Sequence, residues 1–260
     1  MRKRFHAAAV ALAILVPLLS AGPAAAEDAV GQDLPRFRAS DAPAVPPGDV
    51  SPLVVNGEAA TSSRGLAALH IDGKFECTGS IIAPRWVLTA KHCVEGYRDQ
   101  AMAVRVKSLR YGSGGGVVAV IEAESVVRSI HDIALVRLSR SANAEYVPLA
   151  SAHPKIGTTN YVFGWGRTCP TCALSPTLKR ATVTVTGISD AYSDMGTEIR
   201  VSPGNGAPCS GDSGGPMFKL VDGKRYQVGV VSWGSSSCTG SSYFASVPIS
   251  RDWIRSVAGV

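Results

Sequence analysis

The chain has 260 residues, 45% of them hydrophobic, and its 26 basic and 20 acidic side chains leave a formal charge of +6. That length suits one or two domains with a large core. The basic excess forms no dense run interleaved with aromatics, so solubility accounts for it and no nucleic-acid partner is expected.

Arg2, Lys3 and Arg4 precede an apolar stretch from Ala7 to Leu19, broken only by Pro17, and then small residues ending at Ala24-Ala25-Ala26. Basic, then apolar, then small is the layout of a secretory signal peptide. The competing reading is a membrane anchor, but the run falls short of the about 20 apolar residues a spanning helix needs. Residues 1–26 are thus expected to be a signal peptide. No later segment is apolar enough to span, so a secreted, soluble protein without a membrane partner is expected. Residues 27–53 carry Pro35, Pro43, Pro46, Pro47 and Pro52 and few bulky apolar side chains. Such a segment buries too little surface to offset its ordering entropy. Composition leaves it as either a linker or a removable pro-segment.

From Val54 to Val260 the signals are short strands: 66–71, 80–82, 86–89, 104–106, 117–121, 133–138, 161–163, 181–186, 226–232 and 243–247. Each is rich in Val, Ile, Thr or aromatics and is bounded by Gly, Pro, Ser or Asp. One helix is expected at the end, capped by Ser250 or Asp252, with Trp253, Ile254 and Val257 at helical spacing. Many short strands and one terminal helix read as an all-β sandwich or barrel. The six cysteines, at 77, 93, 169, 172, 209 and 238, form an even set in an exported chain and point to disulfides. Spacing alone does not choose among the 15 possible pairings of six.

Gly211-Asp212-Ser213-Gly214-Gly215-Pro216 is the sharpest segment. Glycines beside a serine allow a tight turn that exposes the hydroxyl and turns backbone N–H groups toward a developing oxyanion. The loose G-x-S-x-G pattern also occurs in α/β-hydrolases, where the histidine follows the serine. Here the histidines stand at 6, 70, 92, 131 and 153, all before Ser213. The base must therefore come from upstream. Thr89-Ala90-Lys91-His92-Cys93 supplies a histidine after an apolar strand, and Asp132-Ile133-Ala134-Leu135 a carboxylate at the mouth of another. A serine hydroxyl needs a base, and the base needs an acceptor on its other ring nitrogen. His92, Asp132 and Ser213 can fill those three roles.

Thr89–Cys93, Asp132–Leu135, Gly164-Trp165-Gly166, Gly211–Pro216 and Ser232-Trp233-Gly234 together resemble the landmarks of the chymotrypsin/trypsin family, in that family's order and across Val54–Val260. A secreted member of bacterial type is expected. The resemblance implies two six-stranded antiparallel β-barrels with a C-terminal helix and an active site between the barrels. It implies a serine endopeptidase acting on protein or peptide substrates, with His92 as general base, Asp132 as orienting acid and Ser213 as nucleophile. The N–H groups of Gly211 and Ser213 match the oxyanion hole, and Ser232, Trp233 and Gly234 the strand that pairs with substrate. Val54-Val55-Asn56-Gly57 resembles the activated N-terminus. That makes residues 27–53 a pro-segment cut after Leu53, with the new amine pairing with Asp212. The resemblance also pairs Cys77 with Cys93 and Cys209 with Cys238.

Three features depart from the family. Cys169-Pro170-Thr171-Cys172 has no family counterpart. A small ring is one reading; a redox Cys-x-x-Cys would need a βαβ pattern that is absent, and a metal site more soft ligands. Ala207 stands six residues before the nucleophile, where trypsin-like members carry an aspartate. Pro208 follows it, and Ser242 is expected to face the pocket base from the other wall of a shortened 238–243 segment. No carboxylate is then available for a substrate Lys or Arg, so uncharged apolar residues are expected on the acyl side of the cut. No cofactor, metal ion or second subunit is called for. An inactive homologue that only binds and an esterase using the same triad are the alternatives. The intact triad argues against the first, and the peptide-pairing strand against the second.

Overall fold

The computed structural model describes residues 55–95, 97, 101–125, 131–193 and 196–260. The expected signal peptide and pro-segment, and Leu53 and Val54 of the expected activation site, lie outside the described residues.

Seven strands come first: β1 (Glu58–Ala59), β2 (Leu66–Ile71), β3 (Lys74–Ala83), β4 (Trp86–Thr89), β5 (Met102–Val106), β6 (Gly116–Ser125) and β7 (Ala134–Leu138). β2 to β7 close into an antiparallel barrel in the order β2-β3-β4-β7-β6-β5. Closure leaves no exposed sheet edge. β8 (Thr159–Gly164), β9 (Lys179–Ser189), β10 (Glu198–Pro203), β11 (Pro216–Val221), β12 (Lys224–Gly234) and β13 (Ser242–Ser246) form the second barrel. Its order is β9-β10-β13-β12-β11-β8, closed by the β8–β9 pairing, with β1 added beside β9.

Local sequence explains these choices. In β9 the inward residues Ala181, Val183 and Val185 alternate with outward Thr182, Thr184 and Thr186, the period of two that a half-buried strand requires. β2 joins β3 through Asp72-Gly73 and β11 joins β12 through Asp222-Gly223, and all four residues have positive φ. That conformation matches the twist of a two-residue hairpin, for which Asp-Gly is a preferred pair. Leu69, Ile81, Leu88, Val104 and Leu135 fill the first barrel; Val183, Val185, Ile199, Met217 and Phe244 fill the second. Truncating one such leucine or isoleucine to alanine costs about 2–5 kcal/mol.

The terminal helix α1 (Val247–Ala258) starts earlier than expected. Ser246 is its N-cap and accepts from the Ile249 N–H, and Gly259 ends it in the left-handed conformation. Ser250 and Asp252 lie inside the helix, and Val247 opens it rather than ending a strand. Val247 and Ile254 pack into the core of the first barrel. β10 and β11 also stand where no strand was expected.

Candidate active site

β3 and β4 are antiparallel neighbours, and the buried Val87-Leu88-Thr89 run fixes where the chain leaves the barrel. Ala90 is extended, and a single 3₁₀ turn then covers Lys91–Cys93. Cys93 is disulfide-bonded to Cys77 of β3, with an S–S distance of 2.04 Å. The turn that carries His92 is thereby stapled to the barrel wall.

Asp132 sits just ahead of β7, the partner of β4. Its Oδ1 accepts from the His92 backbone N–H at 3.0 Å and its Oδ2 lies 2.7 Å from His92 Nδ1. A carboxylate only accepts, so Nδ1 carries a proton, and in the neutral ring Nε2 is then the nitrogen with the lone pair. The Ser232 hydroxyl donates to the same Oδ2 at 2.6 Å. Burial would raise the Asp132 pKa. The ring bond and charge of His92, the Ser232 hydroxyl and the His92 amide outweigh it and hold the carboxyl below its ordinary range. Asp132 is 4% exposed and the His92 side chain 45%, so a half-exposed imidazole stands on a buried carboxylate.

Ser213 lies on the turn before β11. The Asp212 N–H donates to Cys209 O and the Gly215 N–H to Asp212 O, both at 2.9 Å, which closes the turn. The turn is pressed onto the first barrel. The Thr78 N–H donates to Ser213 O at 2.9 Å and Thr78 Oγ1 to Gly211 O at 3.0 Å. Gly214 has φ +77°, and a Cβ on it would come within 2.1 Å of Thr89 Oγ1 and 2.3 Å of Thr78 O. Only glycine permits that approach, and it sets Ser213 beside the segment that leads to His92. Among the described residues, Ser213 Oγ and His92 Nε2 have no hydrogen-bond partner, and the N–H groups of Gly211 and Ser213 donate to no protein acceptor.

Asp212 is 2% exposed and accepts from the Gly166 N–H at 2.7 Å and the Cys209 N–H at 2.9 Å. Burial pushes its pKa up to about 7 against the pull of those amides. Among the described residues no cation lies within ion-pair range of it. The described chain begins nearby: Val55 O accepts from the Ala207 N–H at 3.2 Å, and Val55 packs with the Cys209–Cys238 disulfide.

A cavity of about 200 Å³ opens at Ser213 and is lined by Pro208, Ser210, Trp233, Gly234 and Ser242 among others, with Ser232 on the same wall. Among the described residues, no side chain lining it is charged. Ser242 is the cross-strand partner of Gly234, and its Oγ lies 3.1 Å from where a Cβ on Gly234 would stand, so the two line the cavity side by side. Pro208 lines this cavity as expected, whereas Ala207 does not: it is buried in the bridge to Val55. The Cys209–Cys238 disulfide ties the walls together, and Cys169–Cys172 closes into a ring whose Pro170 reaches the cavity rim. Cys77, His92 and Cys93 cluster closely enough for a metal, but both sulfurs are spent in the disulfide and offer no thiolate. The support of Asp132 by Ser232, a hundred residues away in sequence, was not read from the chain, and no local pattern signals it.

A family model described as Trypsin matches residues 54–254. Trypsin alpha-4 of Lucilia cuprina is 33% identical over 83% of this chain and 92% of its own length. Trypsin of Sarcophaga bullata is 31% identical over 82% and 91%. Among solved structures, neuropsin, a serine protease expressed in the limbic system of mouse brain, aligns with a TM-score of 0.66 and 30% identity, covering 78% of this chain and 98% of that one. These relatives are from flies and a mouse, so they give no support to a bacterial type. The match spans both barrels and every segment that builds the cleft: the chain belongs to the trypsin family and is a serine endopeptidase.

Proposed function

We propose that the protein is a secreted endopeptidase, made as a zymogen, in which Ser213 is the nucleophile, His92 the general base and Asp132 its orienting acid. The observation that carries this reading is the 2.7 Å contact between His92 Nδ1 and a buried Asp132. It places a ring proton on Nδ1 and makes Nε2 the nitrogen that can accept from Ser213. His92 Nε2 takes the Ser213 proton as Oγ attacks the peptide carbonyl. The N–H groups of Gly211 and Ser213 receive the oxyanion. The imidazolium then protonates the leaving amine, and water, deprotonated by the same imidazole, releases the acyl group. The enzyme acts as a monomer on protein and peptide chains, with no nucleic acid or membrane as partner. A fluorophosphonate should label Ser213 alone and stop casein cleavage; cleavage that survives full labelling would overturn the assignment.

The pocket accepts an uncharged residue. A substrate Lys or Arg would bury a charge without a partner, a cost of several kcal/mol, whereas an apolar side chain gains roughly 25 cal/mol per Å² buried. The volume of about 200 Å³ favours Leu and Met over Phe and Tyr. Ordinary ligand pockets run to about 300–1,000 Å³. A second reading rests on the relatives, which carry the name trypsin: cleavage after Lys or Arg. Matched chromogenic peptides differing only in that residue separate the two. Turnover should be fastest after Leu or Met, and efficient cleavage confined to Arg and Lys would establish the second.

A further inference from the structure

Glu198 is a buried carboxylate that the triad does not use. It opens β10, has no solvent exposure, and stands on the second barrel behind the substrate strand. Its Oε1 accepts from the Trp233 indole N–H at 2.7 Å and its Oε2 from the Ser193 hydroxyl at 2.9 Å. Burial raises its pKa against those two hydrogen bonds, and the charge of Asp132 adds to the rise. A buried acid is costly to keep. A hydrophobic residue would fill the same space without that cost, so what Glu198 holds is informative.

It holds the one large side chain that reaches from the substrate strand into the cleft. Trp233 lies at the end of β12, is 37% exposed, and lines the cavity at Ser213. Its other face is stacked on Tyr243, with centroids 3.8 Å apart and planes within 4°. Tyr192 meets Tyr243 edge to face at 5.4 Å, and the Arg200 guanidinium sits over Tyr192 at 5.3 Å. The indole is therefore clamped at its N–H by Glu198 and on one face by Tyr243, leaving only its second face to the cleft.

We propose that Glu198 is a positioning residue for the substrate segment ahead of the cleaved residue. Through the indole N–H it fixes Trp233 as a rigid apolar wall that selects apolar or aromatic side chains in that segment. The inference rests on the peptidase reading above. Pre-organisation of this kind lowers the cost of ordering the wall when substrate binds. It should act on KM of extended substrates and leave the bond-breaking step alone.

The test compares a tetrapeptide anilide with an apolar residue two or three places before the cut against a single-residue ester with the same first residue. The enzyme is matured from its full chain. Glu198→Met keeps the bulk and removes the acceptor. It should raise KM for the tetrapeptide about tenfold, the size of one lost hydrogen bond to a charged group, with kcat nearly unchanged and the ester rate intact. Glu198→Gln keeps a carbonyl acceptor and should restore most of the difference. Should Glu198→Met fail to fold, Ser193→Ala loosens the carboxylate more gently and should produce a smaller change confined to the tetrapeptide. An equal loss on both substrates, or a tetrapeptide KM that does not move, overturns the proposal. A wild-type enzyme that cleaves neither substrate overturns the peptidase reading and this inference with it.

Discussion

At the scale of single residues, the site divides into groups whose roles are separable by mutation. Ser213→Ala and His92→Ala should each lower kcat for amide hydrolysis by roughly four to six orders of magnitude. The double variant should be little worse than either, because nucleophile and base act as one unit. Additive losses, measured by active-site-titrated kinetics, would mean the two residues work separately. Ser232→Ala tests the support of the base. It removes a hydroxyl that donates to Asp132 at 2.6 Å, and hydrogen bonds to charged groups contribute about 1.5–3 kcal/mol. The folded-state pKa of Asp132 lies below its unfolded value. Its contribution to stability is therefore present above the unfolded pKa of about 3.9 and is lost as pH falls through the folded one. Without the Ser232 hydroxyl the folded pKa rises, so acid unfolding should begin at higher pH. Urea midpoints measured between pH 6 and pH 2 should show the displacement. The candidate site was legible where chemistry imposes local residue types: a serine between glycines, a histidine beside a cysteine, an aspartate before an apolar strand. It was illegible where a residue acts through a distant partner, as Ser232 does on Asp132 and Glu198 on Trp233.

At the scale of elements, strands with a clean signature were legible and strands without one were not. β9 alternates threonine with inward Ala and Val, and its period announces it. β10, Glu-Ile-Arg-Val-Ser-Pro, mixes charges into a buried strand and ends in proline, so propensity argues against it and only pairing with β9 and β13 makes it a strand. β11 follows Gly214-Gly215 and starts on Pro216, features that read as the end of a turn. The helix start was misplaced for a related reason. Ser246 lies in an apolar run that continues a strand pattern, and its capping role becomes visible only when the chain bends at Pro248. Ser246 Oγ accepts from Ile249 N–H and also lies 2.7 Å from His153 Nε2. Ser246→Ala should cost about 1–2 kcal/mol, the upper end of a cap substitution. Urea unfolding should show the lower midpoint, and an unchanged midpoint would mean that the cap contributes nothing. The Cys77–Cys93 disulfide joins positions 16 apart in sequence. Replacing both cysteines by serine should cost about 3 kcal/mol by chain entropy, and it also frees the turn that carries His92. A loss of kcat larger than the loss of folded protein would separate the second effect from the first.

At the scale of the whole molecule, the proposed zymogen form can be tested through Asp212. Asp212 is buried next to the nucleophile with a pKa pushed up to about 7. At neutral pH its charge is costly unless a cation meets it. The chain beginning at Val55 already runs beside Ala207 and packs on the Cys209–Cys238 disulfide, and the Cys209 N–H is bonded to Asp212. On the proposed activation, cleavage after Leu53 would supply that cation as the new amine of Val54. Active enzyme should therefore begin Val-Val-Asn-Gly on N-terminal sequencing, and a chain with an extra methionine before Val54 should be at least tenfold weaker, since the added residue displaces the charge; full activity there would remove the amine from the mechanism. An α-amine in the unfolded chain has a pKa of about 7.7–8.0, and pairing raises it in the folded enzyme. Its stabilisation is fully present below the unfolded pKa and is lost as pH rises through the folded one. Asp212 sets the other limit, since the pair dissolves when pH falls far enough to protonate the carboxylate. Between those limits the mature enzyme should hold a stability advantage over its precursor. Parallel urea titrations of the two forms should show the advantage fading on the alkaline side together with kcat. A precursor as stable as the mature enzyme at pH 7.5 would show that Asp212 is neutralised by something other than the new N-terminus.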